Sequence, residues 1–305
     1  MKPAPPPTND PRPDPTSVAA LFVTYHPDAG FYDRALTLVG QVSAILIVDN
    51  GSTDDELAPV RRLVAEGFAE LILNGENLGQ AAALNQGFSW ANDHGLPWVA
   101  TFDQDTTPGP KLVAAAGPVF DRYRSRQIAV IGAGWIVSPR LPPDCTDPDG
   151  RDAVWVVTSC SLHSVHVWRV LGGFRGDFFI DYVDIEFCLR ARSAGYTITR
   201  VCTPTMVHAY GIPTQRRFLR RTVQPSNYSP MRRYFNARNR LVVWRTYWRR
   251  EARYVLFDIR AWTKELIKVL LFEDQRPQKF HAVLRGALDA IRGVTGPLPP
   301  QWIRT

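Results

Sequence analysis

The chain has 305 residues, 45% of them hydrophobic and 21% charged, and a formal net charge of +7. These proportions are typical of a folded globular protein that buries a full core. No window reaches the roughly 18 consecutive apolar residues that predict a transmembrane helix, which argues against an integral membrane protein. The four cysteines form no CxxC pair, so neither a zinc knuckle nor a disulfide framework is predicted, and we expect reduced thiols in a cytosolic protein.

The N-terminal stretch MKPAPPPTNDPRPDPTS is rich in proline and has no apolar segment of the kind that a signal peptide needs. Because proline is excluded from helix interiors and central strands, residues 1–17 are predicted to be a disordered leader. Residues 18–215 are predicted to form an α/β domain, and residues 216–305 a helical region rich in basic and aromatic residues.

Strand and helix patterns alternate after the leader. The predicted strands are SVAALFVTY, SAILIVDNGS, AELILN and PWVATFDQD, and the predicted helices between them are FYDRALTLVGQV, DELAPVRRLVAEG and GQAAALNQGFSWANDHG. This order predicts right-handed βαβ units in an open sheet. Ligands bind beyond the carboxyl ends of the strands in such sheets, so we expect polar clusters at 24–27, 49–52, 77–79 and 103–105 to converge.

The pattern changes after Gly109. IAVIGAGWIV and AVWVVTSCSLHS are predicted to be strands, and DYVDIEFCLRARSAG is predicted to be a helix that ends at Gly195. Beyond Pro213 the sequence is helical and basic. The segment from Arg216 to Arg250 holds eleven arginines and no acidic residue, so the excess positive charge is local.

The stretch TFDQDT places Asp103 and Asp105 directly after a buried strand. Two like charges at this position repel each other, and a divalent cation removes the conflict. One or two carboxylates plus substrate phosphates are the usual ligands of Mg²⁺ or Mn²⁺ at a phosphate site. The alternative is an ordinary loop, in which Asp-x-Asp is common.

Two other polar clusters have structural alternatives. Asp49 ends a predicted strand and could accept hydrogen bonds from a nucleobase or ribose, but VDNGS is also a usual Asn-Gly turn with a helix cap. Asn77, Gly79 and the small residues after them would let a backbone approach a ligand closely. The same residues would also suit a helix packed tightly on the sheet.

Eight motifs then occur in an order that resembles glycosyltransferase family two, inverting nucleotide-sugar enzymes of the GT-A fold, and its rhamnosyltransferase-like branch in particular. They are VTYHP, IVDNGSTD, NLGQAAALNQG, FDQDT, TSCSLHS, GGFRGDFFIDYVDIEFCLRARSAGY, VHAYG and RRYFNARNR, and they span about residues 20 to 240. The resemblance implies a Rossmann-like mixed sheet flanked by helices, with a basic helical C-terminal extension.

The resemblance also implies roles for individual residues. Donor-binding roles fall on Thr24, Tyr25, Pro27, Asp49, Asn77, Gly79, Asn85, Asp103 and Arg238. Asp105 matches the metal ligand, and His208 matches a histidine that completes the metal site. Asp184 falls at the position of the catalytic base. Cys160 is a departure, because related sequences often have glycine in this loop, and this puts the fit of the loop around the sugar in doubt.

The proposed chemistry is coherent by itself. An acceptor hydroxyl is a poor nucleophile near neutral pH, so a carboxylate such as Asp184 must take its proton as it attacks the anomeric carbon. The diphosphate then leaves from the opposite face, which inverts the anomeric centre. The structural alternatives are an acidic first helical turn for Asp184 and Glu186, and a satisfied core histidine for His208.

The basic, aromatic C-terminal region has three interpretations. It could bind nucleic acid through phosphates and stacking, lie on an anionic membrane through arginine, lysine, tryptophan and leucine, or pack on the catalytic domain with a solvated basic face. We favour the membrane surface and expect no nucleic-acid partner. The acceptor would then be a glycan or a polyprenyl-diphosphate-linked glycan, and the protein would be cytoplasmic or peripheral at the inner face of the cell membrane.

The expected function is therefore an inverting, metal-dependent glycosyltransferase in bacterial surface-polysaccharide synthesis, with rhamnose from dTDP-rhamnose as the favoured donor sugar. Another sugar, such as galactofuranose from a UDP donor, is the nearest enzyme alternative. A different class is a nucleotide-binding or nucleic-acid-binding protein without catalysis. A general base together with a metal site has no use in a pure binding module, which favours the enzyme.

Overall fold

The computed structural model describes residues 9–136, 147, 150–208, 216–218, 221–223 and 225–298. The chain divides into two compact units: unit 1 comprises Met1–Arg175 and Phe187–Ala209, and unit 2 comprises Gly176–Glu186 and Tyr210–Thr305. Residues 176–186, which the sequence places in the α/β domain, therefore group with the C-terminal helices.

Unit 1 is an α/β structure. Its elements are β1 (Val18–Thr24), α1 (Phe31–Leu36), β2 (Ala44–Asp49), α2 (Ala58–Ala65), β3 (Glu70–Leu73), α3 (Gln80–Asp93), β4 (Trp98–Asp103), β5 (Thr106–Pro108), α4 (Leu112–Tyr123), β6 (Ile128–Ile136), β7 (Arg151–Asp152), β8 (Ser161–Ser164) and α5 (Val165–Val170). Helix α6 (Val183–Ala194) begins in unit 2 and ends in unit 1, and β9 (Thr197–His208) follows it. The predicted alternation of strands and helices up to Asp103 is confirmed.

The sheet of unit 1 is mixed, as the resemblance implies. Its strand order is β3-β2-β1-β4-β8-β6-β9-β5, and β7 pairs with β9. Strands β1, β2, β3 and β4 pair in parallel, whereas β8 runs antiparallel to β4. The register sets Thr24 beside Asp49 and Val23 beside Asp103, so the carboxyl ends of β1, β2 and β4 lie at one edge.

The core of unit 1 lies between this sheet and its helices. The Phe22 ring stacks on Phe102 at 5.0 Å and meets Phe31 edge-on at 5.2 Å. Helix α3 approaches the sheet closely at Gly87, where an added Cβ would lie 2.3 Å from a Leu21 methyl carbon. Small residues in α3 therefore serve the close packing of helix on sheet.

The stretch AVWVVTSCSLHS differs from its prediction as one strand. Only its last four residues, Ser161–Ser164, form a strand. The backbone turns at Cys160, whose φ is 56°, and the ladder with β4 begins at the next residue, Ser161, opposite Thr101. A side-chain pattern typical of a strand does not reveal this left-handed residue.

Residues 9–17 also differ from their prediction as part of a disordered leader, because they contact the rest of unit 1. The indole N–H of Trp98 donates to the Pro11 carbonyl at 2.8 Å, and the Ser164 hydroxyl donates to the Asp10 carboxylate at 2.5 Å. Arg12 pairs with Asp121 at 3.0 Å. Residues 1–8 lie outside the described part.

The cysteines are only partly as predicted. Cys160 and Cys188 are buried thiols, whereas Cys202 is disulfide-bonded. The prediction of reduced thiols is therefore wrong for Cys202, since the absence of a CxxC spacing says nothing about distant pairings.

Unit 2 is mainly helical. It contains β10 (Arg216–Phe218) and β11 (Arg221–Val223), which form a hairpin, and the helices α7 (Pro230–Tyr247), α8 (Ala252–Phe272) and α9 (Arg276–Arg292). Helix α7 packs against α9 at Gly286, where a Cβ would lie 2.4 Å from the Tyr234 carbonyl oxygen. The small core of this unit consists of Phe179, Tyr234, Phe235, Ala282 and Leu298.

Within the described ranges, no helix combines the length and the apolar content that crossing a membrane requires.

Candidate active site

Asp49 ties two strand ends together at the carboxyl edge of unit 1. It is 1% exposed. One carboxylate oxygen accepts the backbone N–H groups of Gly51 and Ser52 at 2.9 and 2.8 Å. The other accepts the hydroxyls of Thr24 at 2.8 Å and Ser52 at 2.6 Å. Two predicted donor-binding residues, Thr24 and Asp49, are therefore in direct contact.

Gln104 joins the end of β1 to the Asp-x-Asp turn. Its side-chain carbonyl accepts the N–H of Tyr25 at 2.8 Å, and its amide nitrogen donates to the Tyr25 carbonyl at 3.0 Å. The Arg34 guanidinium donates to the Gln104 backbone carbonyl at 2.9 Å. The middle residue of the turn is thus anchored on both sides, which fixes the backbone that carries Asp103 and Asp105. Gln104 was not among the residues predicted from the sequence, because a glutamine between two aspartates has no distinctive pattern.

The residues around Tyr25 differ in exposure. The Tyr25 ring is exposed and lies 3.9 Å from the imidazole ring of His26, whose φ is 53°. Pro27 is buried. The exposed Tyr25 ring at the strand edge is available to a planar ligand.

A second loop, residues 158–161, approaches the same turn. The Ser159 hydroxyl accepts the Asp103 N–H at 3.4 Å and shares a 2.6 Å hydrogen bond with the hydroxyl of Thr106. Burial raises the pKa of the Cys160 thiol, and the negative charge of Asp103 adds to the effect. The positive φ of Cys160 is a conformation that glycine adopts readily, which explains why glycine would suit this position.

The metal ligands predicted from the sequence are Asp105 and His208. Asp105 is exposed and Asp103 is half-buried. The backbone of His208 pairs with Thr106 in the β5–β9 ladder, which places it opposite the residue after Asp105; its side chain lies outside the described part. Among the described residues, no three His, Cys, Asp or Glu side chains form a group that could hold a metal. The exposed carboxylate beside a half-buried one fits a cation that takes its other ligands from a substrate diphosphate.

Asn77 and Gly79 lie in the loop before α3, next to the Asp49 turn. The Asn77 side-chain oxygen accepts the Gly79 N–H at 2.9 Å, and the Asn50 amide donates to the Gly79 carbonyl at 3.2 Å. Gly79 has a φ of 87°. The clusters after β1, β2, β3 and β4 thus meet at one edge, as predicted.

Asn85 is held elsewhere in unit 1. Its side-chain oxygen accepts the Phe174 N–H at 2.8 Å and the Trp168 indole N–H at 3.0 Å, while its amide donates to the Phe174 carbonyl at 2.9 Å. These contacts connect α3 to residues 168–174. They account for Asn85 structurally, and its donor-binding role stays a prediction.

In unit 2, Asp184 stands in the first turn of α6 after a strained segment. Phe179, Asp181 and Tyr182 all have φ values of 64° to 65°, a left-handed conformation that is rare for residues with large side chains. Such strain persists only where the surroundings impose it, and it clusters at active sites. Asp184 is half-buried, and one of its oxygens accepts the N–H of Ile185 at 2.7 Å.

Helix α7 imposes this conformation. The Asn239 amide nitrogen lies 2.8 to 3.0 Å from the carbonyl oxygens of Phe178, Ile180 and Asp181. Arg238 donates to the carbonyls of Asp177 and Phe178 at 3.1 and 3.2 Å. The side chains of Arg238 and Asn239 therefore hold the backbone that leads to Asp184.

Arg238 was predicted to bind the donor, but the described contacts give it a structural task. It is 1% exposed, and its guanidinium donates also to the Gly296 carbonyl at 2.6 Å. Burial lowers its pKa. All three of these carbonyl partners belong to unit 2, and the donor-binding role stays a prediction without a described contact that supports it.

The other acidic residues near Asp184 have defined partners. Asp181 pairs with Arg232 at 3.2 Å, and burial raises the pKa of Asp181 although the Arg232 charge opposes this. Glu186 is buried and accepts the Tyr247 hydroxyl at 2.8 Å. Glu186 therefore serves the packing of unit 2, in line with its structural alternative.

A mixed α/β sheet with a carboxylate pair and an anchored loop at its carboxyl edge defines a GT-A fold of the nucleotide-sugar transferase class. Two solved structures have the same fold: S. aureus TarS 1–349 in complex with UDP-GlcNAc, with a TM-score of 0.62, 13% identity and coverage of 90% of this chain and 81% of that one; and the mannosyltransferase PcManGT from Pyrobaculum calidifontis in complex with GDP-Man and Mn²⁺, with a TM-score of 0.54, 18% identity and coverage of 96% and 80%.

The sequence comparisons agree with the resemblance that the motifs indicate. Residues 33–131 match the model of glycosyl transferase family 2. The dTDP-rhamnosyl transferase RfbF of Shigella flexneri is 27% identical over 304 residues, which cover 92% of this chain and 97% of that protein. The N-acetylglucosaminyl-diphospho-decaprenol L-rhamnosyltransferase of Mycobacterium tuberculosis is 25% identical over 207 residues, 54% of this chain and 66% of that protein. The chain is therefore similar to glycosyl transferase family 2 over residues 33–131, and to rhamnosyltransferases over a longer stretch.

Proposed function

We propose that the protein transfers rhamnose from dTDP-rhamnose to a glycan acceptor with inversion at the anomeric carbon. The main observation that supports the proposal is that the Asp49–Thr24 contact and the anchored Asp103–Asp105 turn lie at the same carboxyl edge of the sheet in unit 1. Similarity to a dTDP-rhamnosyl transferase over nearly the whole of both chains supports the choice of donor.

In the proposed donor site, Asp49 and Thr24 contact the nucleoside, and Asp103 lies toward the ribose and sugar. Asp105, completed by His208, would hold Mg²⁺ or Mn²⁺, and the cation would neutralise charge on the leaving diphosphate. The fixed Asp-Gln-Asp backbone supplies the orientation, because Gln104 and Arg34 prevent the turn from shifting when a ligand binds.

In the proposed reaction, Asp184 accepts the proton of the acceptor hydroxyl. The bond between the acceptor oxygen and the anomeric carbon forms as the bond from that carbon to the diphosphate oxygen breaks, and dTDP leaves with the electron pair. The rigid segment before Asp184 keeps the carboxylate in place. No covalent intermediate between sugar and enzyme is part of the scheme.

The proposed acceptor is a lipid-diphosphate-linked glycan in the synthesis of a bacterial surface polysaccharide. The name of the mycobacterial relative, which specifies a diphospho-decaprenol acceptor, supports this class. The reaction would take place in the cytoplasm, at the inner face of the membrane.

A donor screen tests the proposal. The release of nucleoside diphosphate would be measured with dTDP-rhamnose, UDP-galactofuranose and UDP-N-acetylglucosamine, each with Mg²⁺, with Mn²⁺ and with excess EDTA. We expect metal-dependent turnover that is fastest with dTDP-rhamnose. Faster turnover of a UDP-sugar would replace the proposed donor, and activity that survives EDTA would remove the metal from the account. Nucleotide binding without turnover of any donor would favour the non-catalytic alternative.

A further inference from the structure

Helix α8 presents an apolar face outward. Four large side chains on this helix are about half exposed or more: Leu256 (55%), Phe257 (61%), Leu270 (49%) and Leu271 (51%). Ile267 is exposed to a similar degree, and the positions 256, 267, 270 and 271 recur at helical spacing. An outward apolar stripe of this length is unusual for a face that meets only water.

The charges of α8 are sorted between its two faces. Its acidic residues point inward: Asp258 is buried against Tyr182 and Arg240, and Glu265 bonds to Arg233 at 2.6 Å. Its exposed charged residues are all positive, namely Arg253, Arg260 and Lys264. At 100° per residue, these cations project from the same outward side of α8 as the exposed apolar side chains.

Helix α9 has the same design. Leu284 and Ile291 are among the most exposed apolar side chains of the described residues, and Leu288 lies between them on the same face. The one acidic residue of α9, Asp289, is buried and accepts the Tyr234 hydroxyl at 2.9 Å. Arg292 is exposed. Two successive helices thus combine outward leucine and isoleucine with outward positive charge.

We propose that the outward face of α8, together with that of α9, docks on an anionic lipid bilayer. Leucine, isoleucine and phenylalanine side chains enter the acyl boundary, while arginine and lysine meet anionic headgroups. The helix lies in the plane of the interface, since its charged residues exclude a spanning orientation. This proposal narrows the sequence-based one, which took in the whole basic and aromatic region, because the arginines at 233, 238 and 240 in α7 are buried.

Two other occupants fit the face less well. A second copy of the chain would bring the cations of both α8 helices together without an exposed carboxylate on α8 to pair with them. Single-stranded nucleic acid binds through aromatic stacking between cations, whereas the exposed residues of α8 are mostly aliphatic. Charge complementarity therefore selects the anionic bilayer.

Vesicle co-sedimentation of the full chain tests the proposal. We expect binding to phosphatidylcholine vesicles that contain phosphatidylglycerol, weak binding to pure phosphatidylcholine, and a decrease with salt. The triple variant Leu256→Gln/Ile267→Gln/Leu270→Gln should lose binding by roughly tenfold or more, because it removes the inserted side chains. The control Leu73→Gln/Val170→Gln changes exposed apolar residues of unit 1 and should bind as the wild type does.

The charge contribution is tested separately. Arg260→Gln/Lys264→Gln should weaken binding to anionic vesicles by roughly thirtyfold, at about fivefold per cation. Arg124→Gln/Arg169→Gln removes the same charge from exposed positions of unit 1 and should have a much smaller effect. All variants should keep the wild-type unfolding transition and donor turnover in vesicle-free solution.

Three results would overturn the proposal: equal binding to neutral and anionic vesicles, vesicle binding that the α8 variants leave unchanged, or a dimer that the triple variant dissociates. The last result would assign the face to a second copy. Binding of single-stranded DNA that is lost in Arg260→Gln/Lys264→Gln, without vesicle binding, would assign it to nucleic acid. None of these outcomes depends on the sugar-transfer reaction.

Discussion

The two units bury polar groups in different ways. In unit 1, the Asp49 carboxylate is satisfied by the backbone and hydroxyls of its own strand edge, while His163 in β8 lies among phenylalanine rings with no hydrogen-bond partner for either ring nitrogen among the described residues. In unit 2, buried charges are matched with each other, as in Arg240 with Asp258 at 3.1 Å and Lys279 with Glu273 at 2.8 Å. Unit 1 therefore satisfies its buried carboxylate within one strand edge, and unit 2 uses matched charges to hold its helices and the segment before Asp184.

The largest expected effect is on kcat, after replacement of the proposed general base Asp184. Asp184→Asn keeps the size of the side chain and most of its hydrogen bonding but removes the proton acceptor, so kcat should fall roughly a hundredfold to ten-thousandfold. The affinity for the donor, measured by calorimetry, should stay near that of the wild type.

Asp181→Asn is the matched control, since Asp181 is paired with Arg232 in the same stretch. Its effect on kcat should be smaller. If Asp181→Asn abolished turnover and Asp184→Asn did not, the base would be Asp181 and the division of tasks between the two carboxylates would be wrong.

The next largest effect is on the stability of unit 2. Asp258→Ala leaves the Arg240 guanidinium buried without its carboxylate and removes the acceptor of the Trp244 indole N–H, which lies 2.7 Å away. The loss of one partner from such a pair costs about 3 to 5 kcal/mol of unfolding free energy. Chemical denaturation measures this difference.

The control for Asp258→Ala is Asp54→Ala. Asp54 forms an exposed ion pair with Arg61 in unit 1, and exposed pairs contribute little because water and salt screen them. Equal destabilisation by the two variants would contradict the idea that unit 2 depends on buried charge pairs.

His163 provides a pH test of unit 1. Burial lowers the pKa of His163 from 6.5 to about 3. Between these two pH values, His163 is protonated in the unfolded chain and neutral in the folded chain. The contribution of the neutral His163 side chain to the unfolding free energy is complete above pH 6.5 and is lost progressively as the pH falls toward 3. Relative to the wild type, His163→Leu should gain about 1.4 kcal/mol of unfolding free energy for each pH unit below that upper limit. A difference between the two proteins that does not change from pH 8 to about pH 4.5 would show that His163 is not buried in neutral form.

A smaller effect is expected where α3 meets the sheet. Gly87→Ala places a methyl group 2.3 Å from a Leu21 methyl carbon, so the helix or the Leu21 side chain must shift. Overpacking of this kind costs about 1 to 3 kcal/mol. Gly176→Ala, at a position with no neighbour within 4 Å of the added carbon, is the control and should change the unfolding free energy little. Similar losses for both variants would argue against the tight contact of α3 with β1.

Much of unit 1 was predictable from sequence. The alternation of apolar strands and amphipathic helices predicts the βαβ order. Because the carboxyl ends of parallel strands meet at one edge of the sheet, the sequence also predicts that Thr24, Asp49 and Asp103 lie together there. The cross-link through Gln104 was not predictable, because a glutamine between two aspartates has no distinctive pattern. The left-handed Cys160 was missed as well, since side-chain chemistry does not reveal a backbone φ of 56°.

Unit 2 was less predictable for a physical reason. The eleven arginines between Arg216 and Arg250 suggest a solvated basic surface, because that segment contains no acid. In the structure, Arg233 and Arg240 pair with acids that follow later in the chain, Glu273 and Asp258. Pairings across such separations depend on helix packing, which local patterns do not encode. The acidic residues Asp258 and Glu273 were the features of the sequence that could have indicated these pairs.

The binding of the donor to the strand edge of unit 1 tests the central claim most directly. Calorimetric titration with dTDP-rhamnose and with UDP-N-acetylglucosamine, in Mg²⁺ and in EDTA, would compare the wild type with Asp105→Ala and with Asp93→Ala, an exposed carboxylate at the far end of α3. We predict Mg²⁺-dependent binding of dTDP-rhamnose by the wild type and Asp93→Ala, and affinity at least roughly tenfold weaker for Asp105→Ala, because the exposed carboxylate no longer contributes to the cation site. Equal affinity of all three proteins, or failure of the wild type to bind either nucleotide sugar, would contradict the assignment of this edge as the donor site.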